Sequence, residues 1–235
     1  MMNLLKIELL KLKKSSVLTI ALGILAISLL TSIQLILTID SDIQVAELLG
    51  ISMNMFALFY YPIFIILFIS MLIRLDNINN IWKVVLSSGV NKIKIYLAKY
   101  IFTLIVISIF VFINILAIIL ASIIKLNMTE IIFIGMKTCL YIVLASAGFI
   151  SIEFIIALIF KSFLIPISVG VMGMFITFIT SMSGEYIILN PFGYASSIAM
   201  GGMTKENILL SIVISILITI VVIFYITKII SKRDN

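Results

Sequence analysis

The sequence predicts an all-α integral membrane protein with six transmembrane helices. Hydrophobic residues make up 63% of the 235-residue chain and charged residues only 11%, whereas a soluble domain is usually about 45–50% apolar. The mean hydropathy of +1.37 agrees with this balance. The apolar residues form long runs rich in isoleucine and leucine, and a run of about 20 residues lets a helix cross a bilayer with its backbone hydrogen bonds satisfied internally.

The apolar runs divide the chain into a single membrane domain, 1–235, with six spans. The first run is about 23 residues long and no small-x-small cleavage site follows it, so we interpret it as a retained span rather than the core of a signal peptide, which is about 7–15 residues long. Spans three and four are longer than one crossing requires, which predicts that they tilt or project. The predicted spans are about 17–39, 53–73, 96–124, 131–160, 163–182 and 207–227.

The lysines and arginines predict the orientation of these spans. Thirteen of the sixteen lie in segments that six crossings place on the same side as both termini. The opposite loops hold only Lys125 and Lys205, and Lys137 lies within span four. Because cytoplasmic loops of membrane proteins are enriched in lysine and arginine, we expect both termini in the cytoplasm.

The loops predicted to lie outside carry six of the ten acidic residues. Their charge gives the outer rim a negative character that attracts a cationic ligand, although loop solubility is the simpler explanation. These acidic residues are Asp40, Asp42, Glu47, Glu130, Glu185 and Glu206.

The chain lacks the residues that most catalytic sites use. It contains no histidine and a single cysteine, Cys139, so ligation of zinc or haem by histidine and a histidine-dependent triad are excluded for this chain. No GxxxxGK[ST] phosphate-binding loop is present, and the basic residues flank spans instead of forming a basic domain. We therefore expect no cofactor on this chain and no nucleic-acid partner, and a membrane-embedded hydrolase or transferase is the weakest functional hypothesis.

The N-terminal stretch MMNLLKIELLKLKKSS predicts an elbow helix that lies in the membrane interface and contacts the lipid bilayer. The alternative is a basic start that only fixes topology. We expect one face of this helix to carry Leu5, Leu9 and Leu12. We expect the opposite face to carry Glu8, Lys11 and Lys14.

The loop between spans two and three predicts a short amphipathic helix. Its apolar residues recur at helical spacing, and Ser87-Ser88-Gly89 ends it. Such a helix either docks a soluble partner or anchors the loop in the interface through Trp82, and periodicity does not decide between these roles. Its apolar face carries Ile78, Ile81, Trp82 and Val85. Its polar face carries Asp76, Asn80, Lys83 and Ser87.

Two further features predict contact with a ligand or with the bilayer. The loop before the last span is rich in apolar and aromatic residues, including Tyr186, Phe192 and Tyr194, so we expect it to fold back onto the bundle or to anchor in the interface. Span four carries Lys137 and Glu153, roughly 24 Å apart along a straight helix. Ionisable residues within a span are candidates for function, although both can also reach solvated partners.

The order of these features resembles the membrane subunits of ABC-2 type transporters. The resemblance covers essentially the whole chain and rests on MNLLKIELLKLKKS at the start, IWKVVLSSGVNKIKIYLAKY after span two and LNPFGYAS before span six. Within that family the chain is most similar to permeases of lantibiotic immunity and antimicrobial-peptide resistance systems of low-GC Gram-positive bacteria. In this family a cytoplasmic coupling helix lies between spans two and three, and the resemblance assigns it here to the predicted amphipathic helix, Asn77 to Gly89. One departure is Gly89-Val90, where many relatives have a proline in the turn after the coupling helix.

The resemblance implies a permease in the bacterial plasma membrane that works with cytosolic ATPase subunits and with a second permease, identical or paralogous. ATP and magnesium would bind the ATPase subunits, and the cargo would be a cationic peptide. The implied ATPase contact lies in the coupling helix, at Asn77, Asn80, Trp82, Lys83, Ser87 and Gly89. The candidate substrate path comprises Lys137, Glu153, Glu185, Tyr186, Phe192 and Tyr194.

Two other functions remain open at this point. One is a membrane sensor or assembly protein that transports nothing, and the other is an exporter of the same family that carries a small drug or a lipid-like substrate.

Overall fold

The computed structural model describes residues 1–38, 45–78, 92–122, 128–160, 162–183 and 187–232. All regular elements within these ranges are helical. They are α1 (Met2–Lys13), α2 (Ser16–Thr38), α3 (Val45–Met55), a π-helical stretch (Phe56–Tyr60), α4 (Tyr61–Ile78), α5 (Lys92–Ser122), α6 (Met128–Ile159), α7 (Leu164–Ser183), a 3₁₀ turn (Ile187–Leu189), α8 (Tyr194–Ala199) and α9 (Lys205–Lys232).

Six helical stretches of the described chain are long and apolar enough to cross a membrane, which confirms the predicted fold class. The second stretch begins earlier than predicted, because α3, the π-helical stretch and α4 follow one another without a break from Val45 to Ile78. Glu47 and Ser52 interrupt the apolar run in the sequence, yet Leu48, Leu49 and Ser52 are buried. Packing against the bundle therefore extends the helix beyond the apolar run.

Paired contacts show how the long helices run. Tyr100 near the start of α5 meets Ser151 near the end of α6, and Ile119 near the end of α5 faces Gly135 near the start of α6, so these helices are antiparallel. In contrast, α6 and α9 are parallel, because Ser215 contacts Ala145 and, further along both helices, Thr219 contacts Ser151. We call the end of the bundle that carries α1 the near end, and the opposite end the far end.

Polar contacts between helices supplement the apolar packing. Ser28 on α2 hydrogen-bonds Asn114 on α5 at 2.9 Å. The Ser215 hydroxyl donates to the carbonyl of Ala145 at 2.6 Å. Because lipid is as apolar as the helices themselves, packing and such hydrogen bonds are what hold spans together.

The described residues that precede α9, from Ile187 onward, pack onto the far end of the bundle. All six residues of α8 are buried, and α8 packs against α6 and α3. The segment that was expected to fold back therefore forms part of the packed core.

Candidate functional site

Four charged side chains from three helices form a closed cluster at the near end. Glu8 uses one carboxylate oxygen for Lys11 (2.8 Å) and the other for Lys99 (3.1 Å). Asp76, in the last turn of α4, likewise contacts Lys11 (3.1 Å) and Lys99. Each carboxylate thus bridges both ammonium groups, and the four formal charges cancel. We call these four residues the near-end cluster.

Three of the four side chains of the near-end cluster are buried although the cluster lies at an end of the bundle, and the Lys11 side chain is 19% exposed. The side chain of Lys99 is 0% exposed, and those of Asp76 and Glu8 are 3% and 5% exposed. Burial of the Lys11 ammonium lowers its pKa, but the hydrogen bond to Glu8 and the charge of Asp76 outweigh this effect, so the pKa of Lys11 is raised above its usual value. Removing one charge would leave the two charges of opposite sign to share a single partner in a largely buried surrounding.

The near-end cluster corrects the expected division of α1 into an apolar and a polar face. Glu8 and Leu12 are buried on the same side of the helix, whereas Leu9 is 48% exposed. Leu5 is half-buried, and Lys14 is exposed. The expected division fails because Lys99 and Asp76 supply a charged surface within the bundle that Glu8 and Lys11 neutralise.

The segment between α4 and α5 lies largely outside the described residues. Asn77 belongs to the last turn of α4, where the described helix ends at Ile78. The other residues of this segment that are predicted to contact the ATPase lie outside the described residues, so their contact stays a prediction. They are Asn80, Trp82, Lys83, Ser87 and Gly89. What the structure adds is that Asp76 and Lys99, which flank this segment, contact each other directly.

Glu153 lies in the interior where α4, α6 and α7 meet. Its side chain is fully buried, and within the described part of the chain neither carboxylate oxygen has a hydrogen-bond partner. Oε2 would lie 3.2 Å from a β-carbon added at Gly170, a position also crowded by Ile66 of α4. Buried polar groups are normally hydrogen-bonded, so an unpartnered carboxyl at a helix junction calls for a functional explanation.

Phe192 packs between α6 and α7, one helical turn from Glu153 toward the far end. Its ring lies 4.8 Å from the ring of Phe149, which precedes Glu153 by four residues and therefore shares its face of α6. The ring also fills the space beside Gly173 of α7. The side chain of Phe192 thus lies between the far end of the bundle and the buried carboxyl.

Hydrogen bonds hold the segment that carries Phe192. The Asn190 side-chain Nδ2 donates to the Thr177 hydroxyl of α7 at 3.0 Å, and the Asn190 side-chain Oδ1 accepts from the backbone N–H of Phe192 at 3.2 Å. Tyr194 is buried and donates its hydroxyl hydrogen bond to the carbonyl of Ile188. The segment is therefore fixed on α7 by a side chain that also shapes its turn.

Of the remaining residues of the candidate substrate path, the structure describes Lys137, which lies away from Glu153. Lys137 is exposed on α6, with its ammonium 5.7 Å from the ring of Tyr141. Glu185 and Tyr186 lie outside the described residues. Among the predicted path residues that the structure describes, only Glu153, Phe192 and Tyr194 are packed in the interior or against it.

The sequence prediction missed the near-end cluster. Asp76 was assigned to the polar face of a loop helix, and Lys99 was counted only for topology. A usable signal was present, because Lys99 lies within predicted span three, at its start, and Glu8 is the one acidic residue in a lysine-rich stretch. A buried lysine in a span requires a counter-charge, and Glu8, Asp76 and Asp234 are the acidic residues in the segments predicted on the same side.

Residues 4–180 match the sequence family described as ABC-2 family transporter protein, which covers α1 to α6 and most of α7. No curated protein and no solved structure matches the chain.

Proposed function

Because the chain belongs to the ABC-2 family of transporter proteins and is thus the membrane permease subunit of an ABC transporter, we propose that its cargo is a cationic antimicrobial peptide such as a lantibiotic. The permease would expel this peptide from a bacterial plasma membrane and so confer immunity or resistance. Subunits of this family are not themselves catalytic, so ATP and magnesium would bind the partner ATPase.

The observation that carries this cargo proposal is Glu153. A carboxyl with no described hydrogen-bond partner at the junction of three helices attracts a cation once water or a ligand reaches it. Phe192 packs between α6 and α7 on the far-end side of Glu153, so displacement of the segment that carries Phe192 would open a route from the far end. A cationic, amphipathic peptide suits a route with one buried acid and aromatic walls.

The proposal also assigns the two ends of the bundle. The near end would face the cytoplasm, since it carries α1 and its lysines. The segment between α4 and α5 would then meet the ATPase, and the far end would face the outer leaflet. A second permease, identical or paralogous, would complete the membrane part of the transporter.

The test needs the permease together with a candidate partner ATPase. Cells with both subunits are challenged with a panel of cationic peptides, and the purified complex in nanodiscs is assayed for ATP hydrolysis stimulated by the same peptides. We expect survival and stimulation with at least one peptide, and loss of both with Glu153→Met. The exposed acid Glu130 provides the matched control, Glu130→Gln.

Other outcomes point to the alternatives. Equal killing across the panel, together with stimulation by a small drug or by lipid, would replace the peptide with that cargo. A complex that forms but is stimulated by no compound would favour the sensor or assembly role.

A further inference from the structure

The near-end cluster connects α1 to both flanks of the segment between α4 and α5. Asp76 lies in the last turn of α4, and Lys99 lies about two turns into α5. Glu8 and Lys11 come from α1, which is distant from both in the chain. The contact between Asp76 and Lys99 holds the end of α4 against the start of α5. The ion pair between Glu8 and Lys99 joins both of these ends to α1.

These contacts couple the position of α1 to that of the start of α5. Lys99 is fully buried and shares its ammonium between Glu8 and Asp76. Moving the start of α5 away from α1 would break the pair between Lys99 and Glu8 and leave each of them with one buried partner instead of two, which is less favourable than moving α1 along with α5. Leu12 and Val17 are buried in the same core, so α1 in turn rests on the start of α2.

We propose that Glu8 is a positioning residue for the segment between α4 and α5: through the near-end cluster it fixes the two flanks of that segment and passes their displacement to α1 and α2. The consequence for transport rests on the proposed function, in which this segment meets the ATPase. The mechanical link itself depends only on the contacts among Glu8, Asp76 and Lys99.

The first experiment measures this link in the full chain without any partner. Hydrogen exchange in nanodiscs is compared for the wild type, Glu8→Gln and the control Glu130→Gln, whose carboxyl is exposed at the far end. We expect Glu8→Gln to speed exchange about tenfold or more in α1 and at the flanking ends of α4 and α5. Unchanged exchange at the ends of α4 and α5 would overturn the proposal.

A double variant separates positioning from charge balance. Glu8→Gln alone leaves two lysines to share Asp76, whereas Glu8→Gln with Lys99→Met leaves one matched pair, Lys11 and Asp76. We expect the double variant to recover the melting temperature lost by the single variant but to keep the fast exchange. Recovery of slow exchange would show that charge balance is sufficient, which would overturn the role of Glu8.

The second experiment uses the complex with the ATPase. We expect Glu8→Gln and the double variant to bind the ATPase and to keep its basal hydrolysis, while stimulation by the peptide falls about three- to tenfold. Full stimulation in the double variant would overturn the transfer of displacement through Glu8. If the wild type itself is not stimulated by any peptide, the cargo proposal fails, and hydrogen exchange alone then decides the positioning role.

Discussion

The ring of Phe192 occupies the space that a β-carbon would need at Gly173. This contact brings the segment between α7 and α9 against α7, one turn from the glycine that faces Glu153. The close approach depends on the absence of a side chain at Gly173, because any β-carbon there overlaps the ring.

Gly173→Ala is expected to displace Phe192 and loosen its segment. Even a methyl group forces the ring to move, so we expect the melting temperature to fall by about 2–6 °C and exchange in residues 187–199 to rise. Gly23→Ala is the matched control, because a β-carbon at Gly23 meets nothing within 4 Å. An equal effect of both substitutions would contradict the contact between Phe192 and Gly173.

Glu153→Met is expected to stabilise the chain while it abolishes resistance. Replacing a buried carboxyl that has no described partner with an apolar side chain of similar size removes its desolvation penalty, which we expect to raise the melting temperature by a few degrees. Glu153→Gln, which keeps a polar group, should raise it less. A lower melting temperature for Glu153→Met would show instead that the carboxyl stabilises the fold.

Lys99→Met is expected to destabilise the chain strongly. It leaves Glu8 and Asp76 with Lys11 as their remaining partner in the near-end cluster, and breaking a buried ion pair by removing one partner costs about 3–5 kcal/mol. Lys94→Met, on an exposed position of the same helix, should change stability by less than about 0.5 kcal/mol. Thermal unfolding of both variants in detergent measures the difference, and similar values would refute the buried cluster.

The melting temperature that Lys11→Met loses relative to the wild type is expected to depend on pH in the alkaline range. The pKa of Lys11 is raised above 10.5 in the folded chain, so its stabilising contribution is fully present below pH 10.5 and is lost as pH rises through the folded pKa. The gap in melting temperature between the wild type and Lys11→Met should therefore stay constant up to that pH and close above it. Lys14→Met, at an exposed position, should show no such closing gap.

Local sequence patterns were sufficient to predict the membrane class and the six spans. Hydropathy depends on composition within a window, and the long helices satisfy their own backbone hydrogen bonds, so neither property needs knowledge of neighbouring helices. Local hydropathy did not predict that the second helical stretch begins at Val45, because the burial of Ser52 depends on residues distant in the chain, which a local average of hydropathy does not include.

The sequence by itself therefore determined that this chain is a bundle of six membrane-spanning helices, and it singled out Glu153 and Phe192 as candidates. Only the tertiary structure decided that these two residues pack between α6 and α7 within one helical turn of each other and that Lys137 is exposed elsewhere on α6. Only the tertiary structure, too, joined Glu8, Asp76 and Lys99. The physical reason is that these contacts connect residues far apart in the chain, and a buried charge finds its partner through packing in three dimensions rather than through spacing along a helix.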